Sequence, residues 1–383
     1  MSRQKRTIDL SIKPKKAIVC GVNMGNADDT EISLDELVML LANLSIPTVA
    51  RVIQKRNTPD PASFVGSGKA EEIKDFAQKS EATLLVVDDF LSPTQKSNLQ
   101  KLTSMTVWDR AFVIMKIFES RAHTSEAKLQ VQVAQYRHEI PSLKGLGHQM
   151  SRTGGGIGTR GPGETEFEKH RRKLERRIKS ITSRLEEVKG RRRDSRERRK
   201  KNGAFTVALV GYTNSGKSTL LRSLSKDCGI LAANQLFSTL DPVIRRISFR
   251  DGGSFLLSDT VGFIRKLPPE LVAAFRATLE EVSGADLLLL VVDSAEKDPV
   301  GNMEIVLETL KELEADDLPR IIVLNKIDKA GSDADFTAME LRARGEETVK
   351  VCALTGEGFE DLLTAIKKQM TENYEDRPAD EHA

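Results

Sequence analysis

Short apolar blocks alternate with longer stretches of helical spacing along residues 17–143. Ala17 to Val22 is apolar enough to be a buried strand, and Ile46 to Ile53 and Leu84 to Val87 repeat the pattern. Thr106 to Trp108 fits a fourth, short strand. Between them, Ser33 to Leu44, Ala70 to Gln78 and Ser92 to Leu102 place apolar residues on one helical face, with Ser33 and Glu36 spaced as a capping box. Glu126 to Glu139 predicts a longer helix ending before Pro141. Alternating β and α segments predict an open α/β domain.

From Phe205 the strands become more strongly apolar. Phe205 to Val210, Phe255 to Leu257, Leu287 to Val292, Ile321 to Leu324 and Val349 to Val351 read as parallel strands covered on both faces. Val243 to Phe249 is more polar and is expected at the sheet edge. The expected fold class is therefore α/β throughout, with an N-terminal α/β domain and a C-terminal, mostly parallel sheet carrying helices on both faces.

The segment between the two halves differs. Residues 153–163 are glycine-rich, compatible with a flexible linker or with a loop whose backbone N–H groups, aided by Arg152 and Arg160, approach phosphate. Thr165 to Glu168 then forms a capping-box pattern opening a charged helix. Leu174, Ile178, Ile181, Leu185 and Val188 draw a heptad-like seam along it. Gly190 is a possible turn, with Arg191 to Lys201 returning as a second helix or as a basic arm, so that 165–202 would be a basic helical hairpin.

Composition sharpens this picture at one place. Of 383 residues, 59 are Lys or Arg and 56 Asp or Glu, for a net charge of +3. Residues 165–201 alone carry a net +10, leaving −7 for the rest. A one-signed stripe on an acidic protein points to a polyanionic partner such as RNA. No apolar run is long enough to span a bilayer. Cys20, Cys228 and Cys352 form neither a disulfide framework nor a zinc pattern, as expected in a reducing cytosol.

The strongest chemical signal lies in the second half. Gly211-Tyr212-Thr213-Asn214-Ser215-Gly216-Lys217-Ser218 follows a predicted strand and opens a predicted helix at Thr219. In that context the pattern is a phosphate-binding loop: backbone N–H groups and a helix N-terminus cradle phosphates, Lys217 reaches the β- and γ-phosphates, and Ser218 offers a hydroxyl to Mg²⁺. Asp259-Thr260-Val261-Gly262 ends the next predicted parallel strand. There the carboxylate is expected to hold a Mg²⁺-bound water, and the glycine N–H to meet the γ-phosphate. Between them, Leu236-Phe237-Ser238-Thr239-Leu240-Asp241-Pro242 carries Thr239 as the expected second hydroxyl ligand of Mg²⁺, although spacing barely separates it from Ser238. Asn325-Lys326-Ile327-Asp328 closes a later strand. The Asp328 carboxylate accepts from guanine N1–H and the exocyclic amine, and repels the N1 lone pair of adenine. Cys352-Ala353-Leu354 follows the last strand, with the Ala353 N–H expected at guanine O6. Lys217, Thr239 and Gly262 are the expected catalytic groups. By contrast, Gly66-Ser67-Gly68-Lys69 lacks the first glycine and the hydroxyl of such a loop and reads as a turn before a helix.

These motifs resemble the HflX family of GTPases. So do Phe64-Val65-Gly66-Ser67-Gly68-Lys69-Ala70-Glu71-Glu72-Ile73, Lys128-Leu129-Gln130-Val131-Gln132 and the glycine cluster running into Gly161-Pro162-Gly163-Glu164. The resemblance implies an N-terminal ribosome-binding α/β domain (1–144), a glycine-rich loop (145–164), the helical hairpin (165–202), a GTPase domain (203–372) and an acidic tail (373–383). It also implies a cytoplasmic monomer that binds GTP and GDP with Mg²⁺, associates with the large ribosomal subunit and its RNA, and splits or rescues stalled or idle ribosomes. Asn214 resembles the asparagine of potassium-stimulated GTPases, implying K⁺ beside the phosphates. Cys352 stands where serine is more usual, and Ser238 where alanine is common. Phe263 occupies the position at which Ras-like enzymes use a glutamine to orient water, so slow unaided hydrolysis is expected. Two other readings remain open: a ribosome- or RNA-binding module in which hydrolysis only times release, and an RNA-remodelling NTPase acting through the N-terminal domain.

Overall fold

The structure is a computed structural model that describes residues 16–151, 162–201, 203–226, 237, 243–272 and 281–375. The chain folds as two compact units, one running to Ile117 and taking in Pro141–Glu168, the other comprising Phe118–Ile140 and the residues from Lys169 onward.

In the first unit, β1 (Ala17–Asn23), β2 (Thr48–Lys55), β3 (Leu84–Val87) and β4 (Thr106–Asp109) form a parallel sheet of order β2-β1-β3-β4. Helices α1 (Ala27–Asn43), α2 (Ser67–Ser80) and α3 (Pro93–Thr103) connect them. The strands form where the apolar blocks require burial: every residue of β3 is buried. Helix α1 starts earlier than its periodicity predicts, because Asn26 caps it by accepting from the Asp29 N–H. Ser33 and Glu36 are therefore not a capping box. They serve Arg110, which is completely buried and donates to Asp88 Oδ1 at 2.6 Å and to the Ser33 carbonyl at 3.1 Å, and pairs with Glu36. A buried guanidinium survives only when its donors are satisfied in this way. Ser92 and Gln95, in contrast, do make a capping box at the start of α3.

Three helices depart from expectation. Helix α4 (Arg110–Arg121) was not anticipated. Helix α5 (Ser125–Ser151) continues through Pro141. A proline removes one backbone donor, and the remaining turns of a long helix sustain it. Helix α6 (Pro162–Lys201) is a single helix of 40 residues. It starts at Pro162, a residue suited to the first helical position, so Thr165 lies inside the helix and not at its N-cap position. Gly190 does not turn the chain, since one glycine costs only about 1 kcal/mol in a helix interior. The basic segment is thus one helix, not a hairpin, and it is tied to α5 by His170 Nε2 and Glu139 Oε1, 3.2 Å apart. The glycine cluster at 153–161, with Arg152 and Arg160, lies outside the described residues.

In the second unit, β5 (Thr206–Gly211), β6 (Val243–Ser248), β7 (Ser254–Asp259), β8 (Leu287–Asp293), β9 (Arg320–Asn325) and β10 (Thr348–Lys350) form a sheet of order β10-β9-β8-β5-β7-β6. All pairs are parallel except β6 with β7, which is antiparallel, so the polar strand is at the edge as its sequence predicts. Helices α7 (Lys217–Ser225), α8 (Pro299–Glu312), α9 (Ile327–Ala330), α10 (Asp333–Ala343) and α11 (Phe359–Glu375) follow. One core joins Leu209, Val291 and Val323 of the central strands with Leu220 and Leu221 of α7 and Leu362 and Ile366 of α11. Helix α11 continues to Glu375, three residues into the expected tail.

Candidate functional site: a nucleotide cradle at the strand ends

Strands β5, β7, β8 and β9 all end on the same edge of the second sheet, and the predicted motifs sit at those ends, where an open α/β sheet takes its ligands. Gly211 is the last residue of β5, and α7 begins at Lys217, so residues 212–216 form the loop between them. Gly216 has φ +98°, and a Cβ there would collide with Asn325 Nδ2, so only glycine fits. Helix α7 has no side-chain cap, which leaves its N-terminal N–H groups facing the loop.

Lys217 folds back over this loop, donating to the carbonyls of Gly211 at 2.9 Å and Tyr212 at 2.7 Å. Burial pushes its ammonium down to about 8, further lowered by Lys326 and opposed by Asp259. A bound phosphate would supply the missing counter-charge. Beside it, Ser218 Oγ donates to Asp259 Oδ2 at 2.6 Å, and both residues are buried. A hydroxyl and a carboxylate side by side form the hard oxygen donor set that suits Mg²⁺. Among the described residues, the buried Oγ1 of Thr213 and Oγ of Ser215 have no hydrogen-bond partner. In the 259–262 motif, Thr260 Oγ1 donates to the Leu209 carbonyl at 2.6 Å and so braces the sheet, and Val261 is buried.

The motifs expected to read the base are joined to the 212–216 loop through Asn325. Asn325 Nδ2 donates to the Ser215 carbonyl at 2.8 Å, and its Oδ1 accepts from the Ala353 N–H at 3.0 Å. Its own carbonyl accepts from Ser294 Oγ at 2.6 Å. Ser223 of α7 secures the same loop by donating to the Ala353 carbonyl at 2.6 Å. The Ala353 N–H read as a partner for guanine O6 is therefore engaged by Asn325 here. Asp328 is exposed, and Cys352 Sγ donates to its Oδ1 at 3.2 Å. Lys326 pairs with Asp293 at 2.5 Å, and Leu354 is exposed.

Asp293, Ser294, Ser223 and Arg265 are the residues that sequence reasoning missed. Asp293 and Ser294 directly follow the apolar block of β8, and a polar residue at a strand end was the available signal. Of the segment around Thr239, Phe237 is described: it is buried, with its ring centroid 4.5 Å from that of Phe118. Ser238, Thr239, Leu240 and Asp241 lie outside the described residues, as does Cys228. Lys69 of the N-terminal glycine segment pairs with Glu72 on its own helix, as a turn and helix start would have it.

Residues 31–119 match the family described as "GTP-binding GTPase N-terminal", 121–199 "GTP-binding GTPase Middle Region" and 206–326 "50S ribosome-binding GTPase". The chain is 44% identical over 360 residues to the GTPase HflX of Lacrimispora saccharolytica, covering 94% of this chain and 84% of that one. It is 41% identical over 360 residues to the GTPase HflX of Escherichia coli K12, covering 93% and 83%. The chain belongs to the HflX family of GTPases. As an HflX-family member it is a GTP hydrolase. The crystal structure of the SsGBP and GDP complex is similar to it at 25% identity and a TM-score of 0.52, covering 93% of this chain and 99% of that one. Among the described residues no helix is long and apolar enough to cross a membrane.

Proposed function

We propose that the chain is a cytoplasmic, monomeric GTP-driven switch that binds the large ribosomal subunit in its GTP state, helps to split or rescue stalled or idle ribosomes, and leaves after hydrolysis. The observation that carries the nucleotide half is the Asn325 bridge. It joins the loop that cradles phosphate to the loop that reads the base, so a single nucleotide spans both. Asp328 selects guanine: its carboxylate is exposed at the strand end, already oriented by Cys352. Gly211 to Thr219 hold the phosphates, and Lys326, Ile327 and Leu354 frame the base.

Ser218 and Thr239 would hold Mg²⁺ directly and Asp259 through water, and the ion would neutralise charge shared between the β- and γ-phosphates. Lys217 adds a second positive charge on the same oxygens, and Gly262 offers a backbone N–H to the γ-phosphate. Water attacks the γ-phosphorus as its bond to the β-phosphate oxygen breaks. Phe263 is 2% exposed and carries no group able to orient that water. Hydrolysis is therefore slow until a partner supplies the missing charge or hydrogen bond, an effect worth about 10³–10⁵ in rate for this chemistry.

The family description of residues 206–326 and the net +10 of residues 165–201 both support a ribosomal partner rich in RNA. The deciding experiment is GTP turnover with and without purified large ribosomal subunits, in K⁺ and in Na⁺ buffers. Strong stimulation is expected, greater in K⁺ if Asn214 helps to hold that ion. Unchanged turnover with subunits would overturn the ribosomal reading. The reading in which hydrolysis only times release predicts that a slowly hydrolysed analogue still supports splitting.

A further inference from the structure

One edge of the first sheet gathers aromatic rings and positive charge. Strand β4 is the last in the order β2-β1-β3-β4, and α4 begins at Arg110, directly after it. Val107 of β4 joins the core with Leu99 of α3. The alternation of a strand turns its neighbour Trp108 to the opposite face, where it is half-buried. In the first turn of α4 the Phe112 N–H donates to Asp109 Oδ1 at 2.8 Å. The Phe112 and Trp108 ring centroids lie 5.0 Å apart, with the rings inclined by 58°.

Two ammoniums converge on this pair. Lys96 Nζ of α3 lies 5.3 Å from the centroid of the Phe112 ring, and Lys116 Nζ of α4 lies 5.5 Å from it. Lys96 enters no ion pair among the described residues. The pull of a ring on an exposed ammonium is weak, so a phosphate oxygen bearing a full charge competes for it. Like charges held near one ring also draw an anion toward them. Phe112, Lys96 and Lys116 are each half-buried, so part of every group is open to solvent.

Flat rings beside two positive charges match one class of polymer. An unpaired nucleotide offers a base that stacks on an aromatic face and a phosphate that takes a lysine. A duplex keeps its bases within the stack and cannot offer them. An acidic peptide meets the charges but brings no flat face to the indole. Resting on the ribosomal reading above, we infer that Trp108, Phe112, Lys96 and Lys116 form a contact for single-stranded RNA, in which bases stack against the aromatic pair and the two lysines take phosphates. No residue of the basic helix α6 belongs to this contact.

The test uses the full-length protein, in which Trp108 is the only tryptophan and so reports on this place alone. Its fluorescence is read during titration with a short, end-labelled oligouridylate RNA, and with polyglutamate as a polyanion without bases. RNA is expected to quench Trp108 to saturation, and polyglutamate to leave it unchanged. Combining Lys96→Gln with Lys116→Gln should lower the slope of log affinity against log salt, read from the quenching, by about 1.4, at about 0.7 per phosphate contact on a single strand. RNA that binds by anisotropy of its label without quenching Trp108 sits elsewhere and overturns the inference, as does RNA that does not bind. Equal quenching by polyglutamate overturns it too, since the patch would then take an acidic protein, and so does an unchanged slope in the double variant. Large subunits that still accelerate GTP turnover in any of these cases leave the ribosomal reading standing. Subunits without effect sink that reading, and the quenching result then judges this contact on its own.

Discussion

Replacing Asn325 with alanine cuts both bonds that join the phosphate loop to the base loop. The Ser215 carbonyl loses a donor at 2.8 Å and the Ala353 N–H loses an acceptor at 3.0 Å. Both residues are buried, at 0% and 3% exposure, so solvent does not readily replace the amide. A buried polar group left unsatisfied costs about 1–3 kcal/mol, so the pair costs about 2–6 kcal/mol. A water entering the vacated volume would bring the loss to the lower end of that range. The loss divides between the fold and the ligand, because the two loops now order separately when nucleotide arrives. We expect Asn325→Ala to melt at a lower temperature and to bind GDP at least about tenfold more weakly, equivalent to about 1.4 kcal/mol. Asn325→Asp separates the two bonds: it keeps the acceptor for Ala353 and turns an oxygen toward the Ser215 carbonyl. Titration with a fluorescent GDP, with a melting curve for each free protein, provides the measurement. An alanine variant that melts and binds as the parent does would refute the bridging argument.

Asp328→Asn should lose a few kcal/mol of guanine discrimination and shift binding toward xanthine nucleotides, whose C2 oxygen suits an amide donor; unchanged GTP affinity would show that Asp328 does not read the base. Burial holds Lys217 down at about 8 in the free protein, against an ordinary 10.5. Between these values the unfolded chain binds more protons, so free-protein stability rises with pH across that window. Phosphate lifts the pKa back, so GDP binding takes up a proton there and its affinity falls as pH passes about 8. Calorimetry at about pH 9 in buffers of different ionisation heat checks this, and finding no proton uptake would count against it. Neutralising Arg191, Arg192 and Arg193 on α6 should flatten the dependence of log ribosome affinity on log salt, since fewer counterions are released. An unaltered slope would make that stretch a solvated helix.

The sequence by itself determined what depends on near neighbours. Apolar blocks marked the central strands such as β3 and β8, because a strand buried on both faces has no polar position to spare, and a more polar block marked the edge strand β6. The phosphate-loop, aspartate and base-reading motifs were legible because each is a run of adjacent residues at the end of a strand. Helix lengths were less legible. Pro141 and Gly190 are unfavourable in helices, yet the intrinsic cost of one residue is small beside the many turns around it, so α5 and α6 run through them. Pairings across the chain were decided only by the tertiary structure. Asn325 meets Ser215 across 110 residues, Ser223 meets Ala353 across 130, and Tyr212 meets Arg265 across 53. Arg110 finds Asp88 and Ser33 in the same way. No local propensity encodes such bonds: which donor faces which acceptor follows from the order and direction of strands in the sheet, and that order exists only once the strands have paired.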